Sequence, residues 1–408
     1  MRIAAWLLLA GCNSILGNGD FRGPDAQADC ASRGLPPTTL SGTVFAPNGT
    51  LPIDHALVYA PTAALADLPD GAGGPVCASG SPAATAFTDA HGNFQLADAP
   101  AGSDVRLVIQ VGKWRRAVTV PSVPACATTA VDPALTHLPR DSSEGHIPRL
   151  AITAGNGDTL ECLARDLGIA DAEIGSGPTS TARVRLYTSN GVKASAAGAF
   201  EPASDLLTAS GVQPYDAILL GCEGTSGTAT AATPAGAQAL FDFTSRGGWL
   251  WVSHIEWPWL QSGPAPWATI GTFNPSAAVI PTSATILIDP DAPRGQDLAD
   301  WSLATGLSAA RGSVALQYIR SSCMTVDPAI AHTVMHLDPA AGMPGVQMFT
   351  WDAAMGGRAV FSDIHRTGPP PPPAPPPSSQ TYPAECTIPP GQEKAILFEL
   401  FDAPACVN

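Results

Sequence analysis

Residues 215–260 read YDAILLGCEGTSGTATAATPAGAQALFDFTSRGGWLWVSHIEWPWL. Ala217 to Leu220 is an apolar run of strand length, followed by a small-residue turn that carries Cys222 and Glu223. The amphipathic segment beyond it predicts a helix, stopped by Gly247-Gly248, and Trp249 to Val252 is a second apolar run. Two buried strands joined by a helix make a βαβ unit, so the sheet is expected to be parallel here. Ligands and catalytic groups collect beyond the carboxyl ends of such strands. Cys222, Glu223, Ser253, His254 and Glu256 all fall at that edge.

The same alternation extends outward in both directions. RLAITAG (149–155) reads as a buried strand, 159–168 as a helix ended by Gly168, ARVRLYT (182–188) as a strand, and 204–209 as a short helix. Strands and helices in that order predict a doubly wound, flavodoxin-like α/β sheet over 149–408. Further on, ATILID is a strand, GQDLADWSLATG a helix, and 312–328 a strand and loop with Cys323. GVQMFTW and GRAVFSDIH form a late pair that extends the sheet, and 390–401 closes the domain as a helix with Ile396, Leu397, Leu400 and Phe401 on one face. The polyproline run 369–377 cannot pair in a sheet and is expected as an exposed loop. Upstream, 38–123 has period-two patterning with regular turn signals, which predicts an all-β sandwich. Residues 124–148 are expected as a linker. The chain is thus multidomain.

Composition bounds the partners. Of 408 residues 13% are charged, and the formal net charge of -15 repels phosphate backbones, so nucleic acid is not an expected partner. The first residues, MRIAAWLLLAGC, have one Arg, a short apolar run and Leu9-Ala10-Gly11-Cys12. This resembles the lipobox of bacterial lipoproteins, in which the signal (1–12) is removed and Cys12 is lipidated. The resemblance implies an exported protein held at the cell envelope, at an outer membrane or cell surface, with residues 13–37 as a tether. Cys12 aside, eight cysteines remain, an even number that suits disulfides in an exported chain. Adjacent strands place Cys162 and Cys222 at one edge, so that pair is expected, together with Cys77–Cys126 inside the first domain. No CxxC pair indicates a zinc site; no metal and no cofactor are expected.

Two further resemblances concern the domains. Thr88-Asp89-Ala90-His91-Gly92-Asn93-Phe94-Gln95-Leu96, followed by Pro100 and Gly102, resembles the signature of carboxypeptidase-regulatory-like (transthyretin-like, CnaB-like) sandwiches. Asp89 to Gly92 close a tight turn while Phe94 and Leu96 face the core. The resemblance implies a spacer or binding module, usually without catalysis. The strand after Gly247-Gly248 that ends in His254, with the late strand of Gly357-Arg358 leading to His365, is similar to the ThuA-like branch of the class I glutamine amidotransferase-like fold. True amidotransferases carry a nucleophilic Cys at the elbow where this chain has Ser253-His254, and bulky Ile255-Glu256-Trp257 follows. Amidotransferase activity is therefore not expected.

The candidate catalytic residues are His254, Glu256, His365 and Asp363. Imidazoles and carboxylates at one sheet edge can do acid–base work or bind a metal; a structural or vestigial polar cluster is the plainer reading. Trp249 and Trp251 share one face of a strand and read as core. Trp257 and Trp259 lie in the following loop, where they can stack on a sugar beside Glu223 or simply pack. The sequence favours a non-catalytic binding module for a glycan or an envelope protein. A hydrolase or sugar-modifying enzyme using His254, Glu256 and His365 is the alternative, and a purely structural envelope protein is the third. Exposed Trp257 and Trp259 would mark the first; His254 and His365 within hydrogen-bonding reach would mark the second.

Overall fold

In the computed structural model, residues 25–402 are described except 75, 156–157, 178–179, 189–193, 196–197, 224–230, 277–278, 281–282, 342–344, 367–381, 384–385 and 387–390. Cys12 and the polyproline run at 369–377 lie outside the described residues. The fold is mixed, with several β-sheets and short helices. No helix among the described residues is long and apolar enough to cross a membrane.

The N-terminal half begins with α1 (Asp25–Ser32). It continues through β1 (Thr39–Thr43), β2 (Leu57–Pro61), β3 (Pro82–Phe87), β4 (Asn93–Ala97), β5 (Gly102–Val111), β6 (Trp114–Val123) and β7 (Thr128–Ala130). These strands form two sheets, ordered β4-β1-β7 and β3-β2-β5-β6. The Asp89 carboxylate accepts from the backbone N–H of His91 and of Asn93, both at 2.9 Å, and closes the turn into β4. Beyond that turn Phe94 and Leu96 are buried while their neighbours along β4 are exposed. His91 is exposed, and His55 stacks on Phe87 with ring centroids 4.7 Å apart; neither is near the sheet edge of interest.

Two segments are more ordered than their composition suggests. Within the expected tether, residues 25–32 are helical, and Cys30 of that helix is disulfide-bonded to Cys126. The expected linker is built into the first half: β7 pairs in parallel with β1, and Arg115 and His146 exchange backbone hydrogen bonds at 3.0 and 2.8 Å. Such pairing satisfies backbone groups that a free linker leaves to water.

The C-terminal half is built on one large sheet. Its principal strands are β8 (Leu150–Ala154), β9 (Val184–Thr188), β10 (Ala217–Leu220), β11 (Trp249–Ser253), β12 (Ala284–Ile288), β13 (Ser313–Leu316), β14 (His332–Leu337), β15 (Val346–Asp352) and β16 (Arg358–Ser362). Their spatial order is β9-β8-β10-β11-β16-β15-β14-β12-β13. From β9 to β16 neighbouring strands run parallel, and from β16 to β13 they run antiparallel. The central parallel strands are predominantly apolar because both faces are covered; in β8, β10 and β11 every residue is buried. Between β10 and β11 runs α2 (Pro234–Ser245), whose cap Thr233 accepts from the Gly236 N–H at 3.1 Å.

The closing helix, α4 (Lys394–Asp402), is preceded in the chain by α3 (Gly295–Ala304). A single apolar face was expected of it, yet Ala395 to Asp402 are all buried. Its apolar side meets Trp114 through Phe401 and Trp301 through Phe398. Its polar side is buried because Asp402 has guanidinium partners from two other elements, Arg358 at 3.0 Å and Arg294 at 2.9 Å. Arg294 also pairs with Asp54 of the first half, and Trp301 Nε1 donates to the Pro52 carbonyl at 2.8 Å. The helix, with Arg294 and Trp301, is therefore one of the joints between the two halves.

The disulfides differ from those expected. Cys162 joins Cys386 rather than Cys222, and Cys126 joins Cys30 rather than Cys77. Cys77 is disulfide-bonded to a different residue. Strand adjacency does place Cys162 near the edge where Cys222 lies, but a 3-10 turn (Leu160–Cys162) intervenes. Beyond that turn the Cys162 side chain meets the segment that leads into α4, while the Cys222 sulfur faces an imidazole. A disulfide needs matching Cβ directions as well as nearby strands.

Candidate functional site

The register of the parallel strands builds the site. Leu220 of β10 lies opposite Val252 of β11 and Thr153 of β8, and Ser253 of β11 lies opposite Ser362 of β16. Carried two residues past the strand ends, this register sets Cys222 beside His254 on one side and Gly155 on the other. The approach at Gly155 is so close that a Cβ there would lie 2.0 Å from the Cys222 carbonyl oxygen. Three residues beyond β16 comes His365. The carboxyl ends of three adjacent strands thus deliver a thiol and two imidazoles to one point.

The Cys222 sulfur lies 3.0 Å from His254 Nδ1, and His365 Nε2 lies 3.2 Å from the same nitrogen. All three side chains are buried. The other ring nitrogen of His365, Nδ1, sits 2.8 Å from the Tyr318 carbonyl oxygen, so it carries the proton and donates. In the neutral ring Nε2 therefore presents a lone pair toward His254. Burial holds His254 neutral, well below the ordinary imidazole range, with His365 and Arg320 acting in the same direction. His254 also has φ of +20°, the edge of the left-handed region that a non-glycine residue enters at a cost. That strain falls where β11 runs into the loop beyond its carboxyl end.

Glu223 and Glu256 follow Cys222 and His254 by one and two residues and are both buried. Glu256 Oε2 accepts from Trp259 Nε1 at 3.1 Å, and the Glu223 N–H points at Glu256 Oε1 from 3.5 Å. Burial first, and the Glu223 carboxylate second, push the Glu256 carboxyl well above its usual range. A shift in that direction favours the protonated form, which a general acid needs.

Asp363 is engaged by a different set of partners. Its oxygens accept from the Ser322 N–H at 2.7 Å, from the Ser322 hydroxyl and from the Cys323 N–H at 3.0 Å. It clasps the loop before Cys323 to the end of β16, and burial pushes its pKa up to about 6. Trp259 is buried with its indole N–H committed to Glu256, and Trp257 is half-buried and stacked on Phe273, centroids 5.4 Å apart. The two rings do not form an open stacking platform, because the loop after His254 folds back over α2 and onto the sheet. Trp249 and Trp251 are core, as expected from their shared face.

Sequence reasoning placed Cys222 at the correct edge but assigned it to a disulfide. The signal that could have found its role is the equal spacing from strand start to Cys222 in β10 and to His254 in β11. It also missed Asp158, Tyr318 and Arg366, which surround His365: the Arg366 N–H donates to Asp158 at 2.9 Å, and its guanidinium pairs with Asp166. Asp158 and Tyr318 lie far from His365 in sequence, whereas Arg366 is its immediate neighbour. Compared with known proteins, the chain matches no family model and no curated protein.

Proposed function

We propose that this chain is an exported, lipid-anchored envelope protein whose two halves are a regulatory-like β-sandwich and an amidotransferase-like α/β unit lacking the amidotransferase nucleophile. The α/β unit is a binding module that works through the Cys222, His254 and His365 cluster. The anchor rests on Leu9-Ala10-Gly11-Cys12, and the disulfides Cys30–Cys126 and Cys162–Cys386 agree with an oxidising compartment. The observation that carries the binding role is the convergence of the three donor-bearing side chains, with contacts of 3.0 and 3.2 Å, from three neighbouring strands. A glycan platform at Trp257 and Trp259 lacks support because Trp259 is buried. The expected ligand is thus small and bound through nitrogen and sulfur. Labelling with radioactive palmitate tests the anchor: Cys12→Ala should abolish label and membrane retention. Imidazole nitrogen NMR tests the cluster: in Cys222→Ser the His254 and His365 signals should both shift. Unshifted signals would mean the three groups do not act together.

A second reading, a hydrolase or sugar-modifying enzyme, is favoured by one observation: Glu256 is buried beside Glu223, with the Trp259 indole donating to it, and burial pushes its carboxyl well above the usual range. Glu256 would then be the acid and His254 the base. A panel of nitrophenyl esters and glycosides should show turnover that Glu256→Gln removes; turnover unchanged by that substitution sinks this reading.

A further inference from the structure

We propose that Cys222 Sγ, His254 Nδ1 and His365 Nε2 are three ligands of a zinc-class divalent metal ion, bound at the carboxyl edge of the sheet with one coordination position left open. The inference rests on the cluster reading above and names the class of its ligand. The three donor atoms lie within 4.8 Å of one another. A tetrahedral zinc ion, with bonds of about 2.3 Å to sulfur and about 2.0–2.1 Å to nitrogen, requires about 3.6 Å between S and N and about 3.3 Å between two N atoms. The observed 3.0 and 3.2 Å contacts lie within about 0.6 Å of these values, and the third pair, Cys222 Sγ and His365 Nε2, lies within 4.8 Å.

The proton arrangement points the same way. His365 Nδ1 donates to the Tyr318 carbonyl, which leaves Nε2 as a lone pair. Anchoring the far nitrogen to a backbone carbonyl is how metal-binding histidines are oriented. His254 Nδ1 faces both that lone pair and the Cys222 sulfur. It cannot accept from the thiol and donate to His365 at once, because one ring nitrogen has either a proton or a lone pair. A cation replaces this conflict with three bonds. On binding, the Cys222 S–H bond breaks, its electron pair becomes the metal–sulfur bond and the proton leaves to solvent.

The donor set decides the class of metal. Thiolate and imidazole suit zinc and its neighbours and do not suit magnesium or calcium. Two imidazoles and one thiolate leave the ion with a net charge of +1. Asp158 is a carboxyl neighbour of His365, and Arg320 is the opposing cation beside His254. Three protein ligands and one open position are the arrangement of zinc sites that bind or activate a small molecule.

The test is a cobalt(II) titration of the full-length protein with its disulfides intact, under anaerobic conditions, followed by optical absorption, with zinc added last. One equivalent of cobalt should give thiolate-to-cobalt charge-transfer and intense tetrahedral ligand-field bands, which zinc then removes. Cys222→Ser should abolish the charge-transfer band, and His365→Gln should weaken binding by more than the roughly 10–100-fold that loss of an outer-shell partner costs. Cys323→Ser, which removes the other buried thiol among the described residues, should leave the spectrum intact. Absence of tetrahedral cobalt bands in the wild-type protein, or bands that survive Cys222→Ser, overturns the metal site. If those bands are absent while the imidazole signals still respond to Cys222→Ser, the metal inference falls alone; if the signals do not respond either, both readings fall.

Discussion

Replacing Arg366 by Met removes the buried guanidinium beneath the site while keeping most of its volume. Arg366 has no exposed side-chain surface, and Asp166, its partner, is 5% exposed. Nη2 donates to Asp166 Oδ1 at 2.8 Å, Nη1 to Thr159 Oγ1 at 2.8 Å, and Nε to the other Asp166 oxygen. Burial already raises the Asp166 carboxyl above its usual range despite this partner. Without the guanidinium an unpaired buried carboxylate remains, which costs about 3–5 kcal/mol. Protonation of Asp166 limits that cost at low pH, so the loss should be larger at pH 8 than at pH 5. Removing both charges, in Arg366→Met with Asp166→Leu, should cost less than Arg366→Met alone, because the desolvation penalty disappears with the pair. The assay is urea unfolding of these two variants, the single variant Asp166→Leu and the wild type, read by tryptophan fluorescence. A loss under about 1 kcal/mol for the single variant, or a double variant worse than either single one, would refute the argument.

Four further outcomes are expected. Gly155→Ala should displace the Cys222 backbone, since its Cβ would lie 2.0 Å from a carbonyl oxygen; a stability loss of about 1–3 kcal/mol and altered His254 imidazole signals should follow. Trp259→Phe keeps the ring packing but deprives Glu256 of its indole donor, costing about 1–3 kcal/mol by denaturant titration. Serine at both Cys162 and Cys386 opens a bridge between residues separated by 224 positions; chain entropy sets the loss at about 5 kcal/mol at most, measured as the drop in urea midpoint. The joint at α4 should make stability fall as pH rises. Burial raises Asp54 from 3.8 to about 7 and Glu399 from 4.5 to about 8, so the folded state binds more protons than the unfolded state between about pH 4 and 8. Their contribution is complete below about pH 4 and lost through pH 7–8, at no more than about 1.4 kcal/mol per pH unit for each group. Asp54→Asn should flatten its share of that slope, and an unchanged pH profile of unfolding would count against it.

Much of the fold can be read from local pattern. Apolar runs of strand length, the Gly247-Gly248 stop and the capped helix between them specify β10, α2 and β11, since each depends on neighbours in sequence. The turn at Asp89 to Gly92 likewise follows from its own side chains. The sheet edge holding Cys222, His254 and His365 was legible too, because parallel pairing sends all three strand ends one way. What the sequence could not decide was how side chains meet. Whether Cys222 turns to Cys162 or to His254 depends on a register between strands 32 residues apart and on a 3-10 turn that carries Cys162 away. The two faces of α4 are buried only because Arg294 and Arg358, distant in sequence, bring charges to Asp402. Trp259 is buried because a loop folds back onto the sheet, and Asp363 becomes a clasp because Ser322 and Cys323 present their N–H groups to it. Local elements are set by propensity and periodicity, which act over a few residues; donor geometry is set by packing between strands far apart in sequence, and so it exists only in the folded chain.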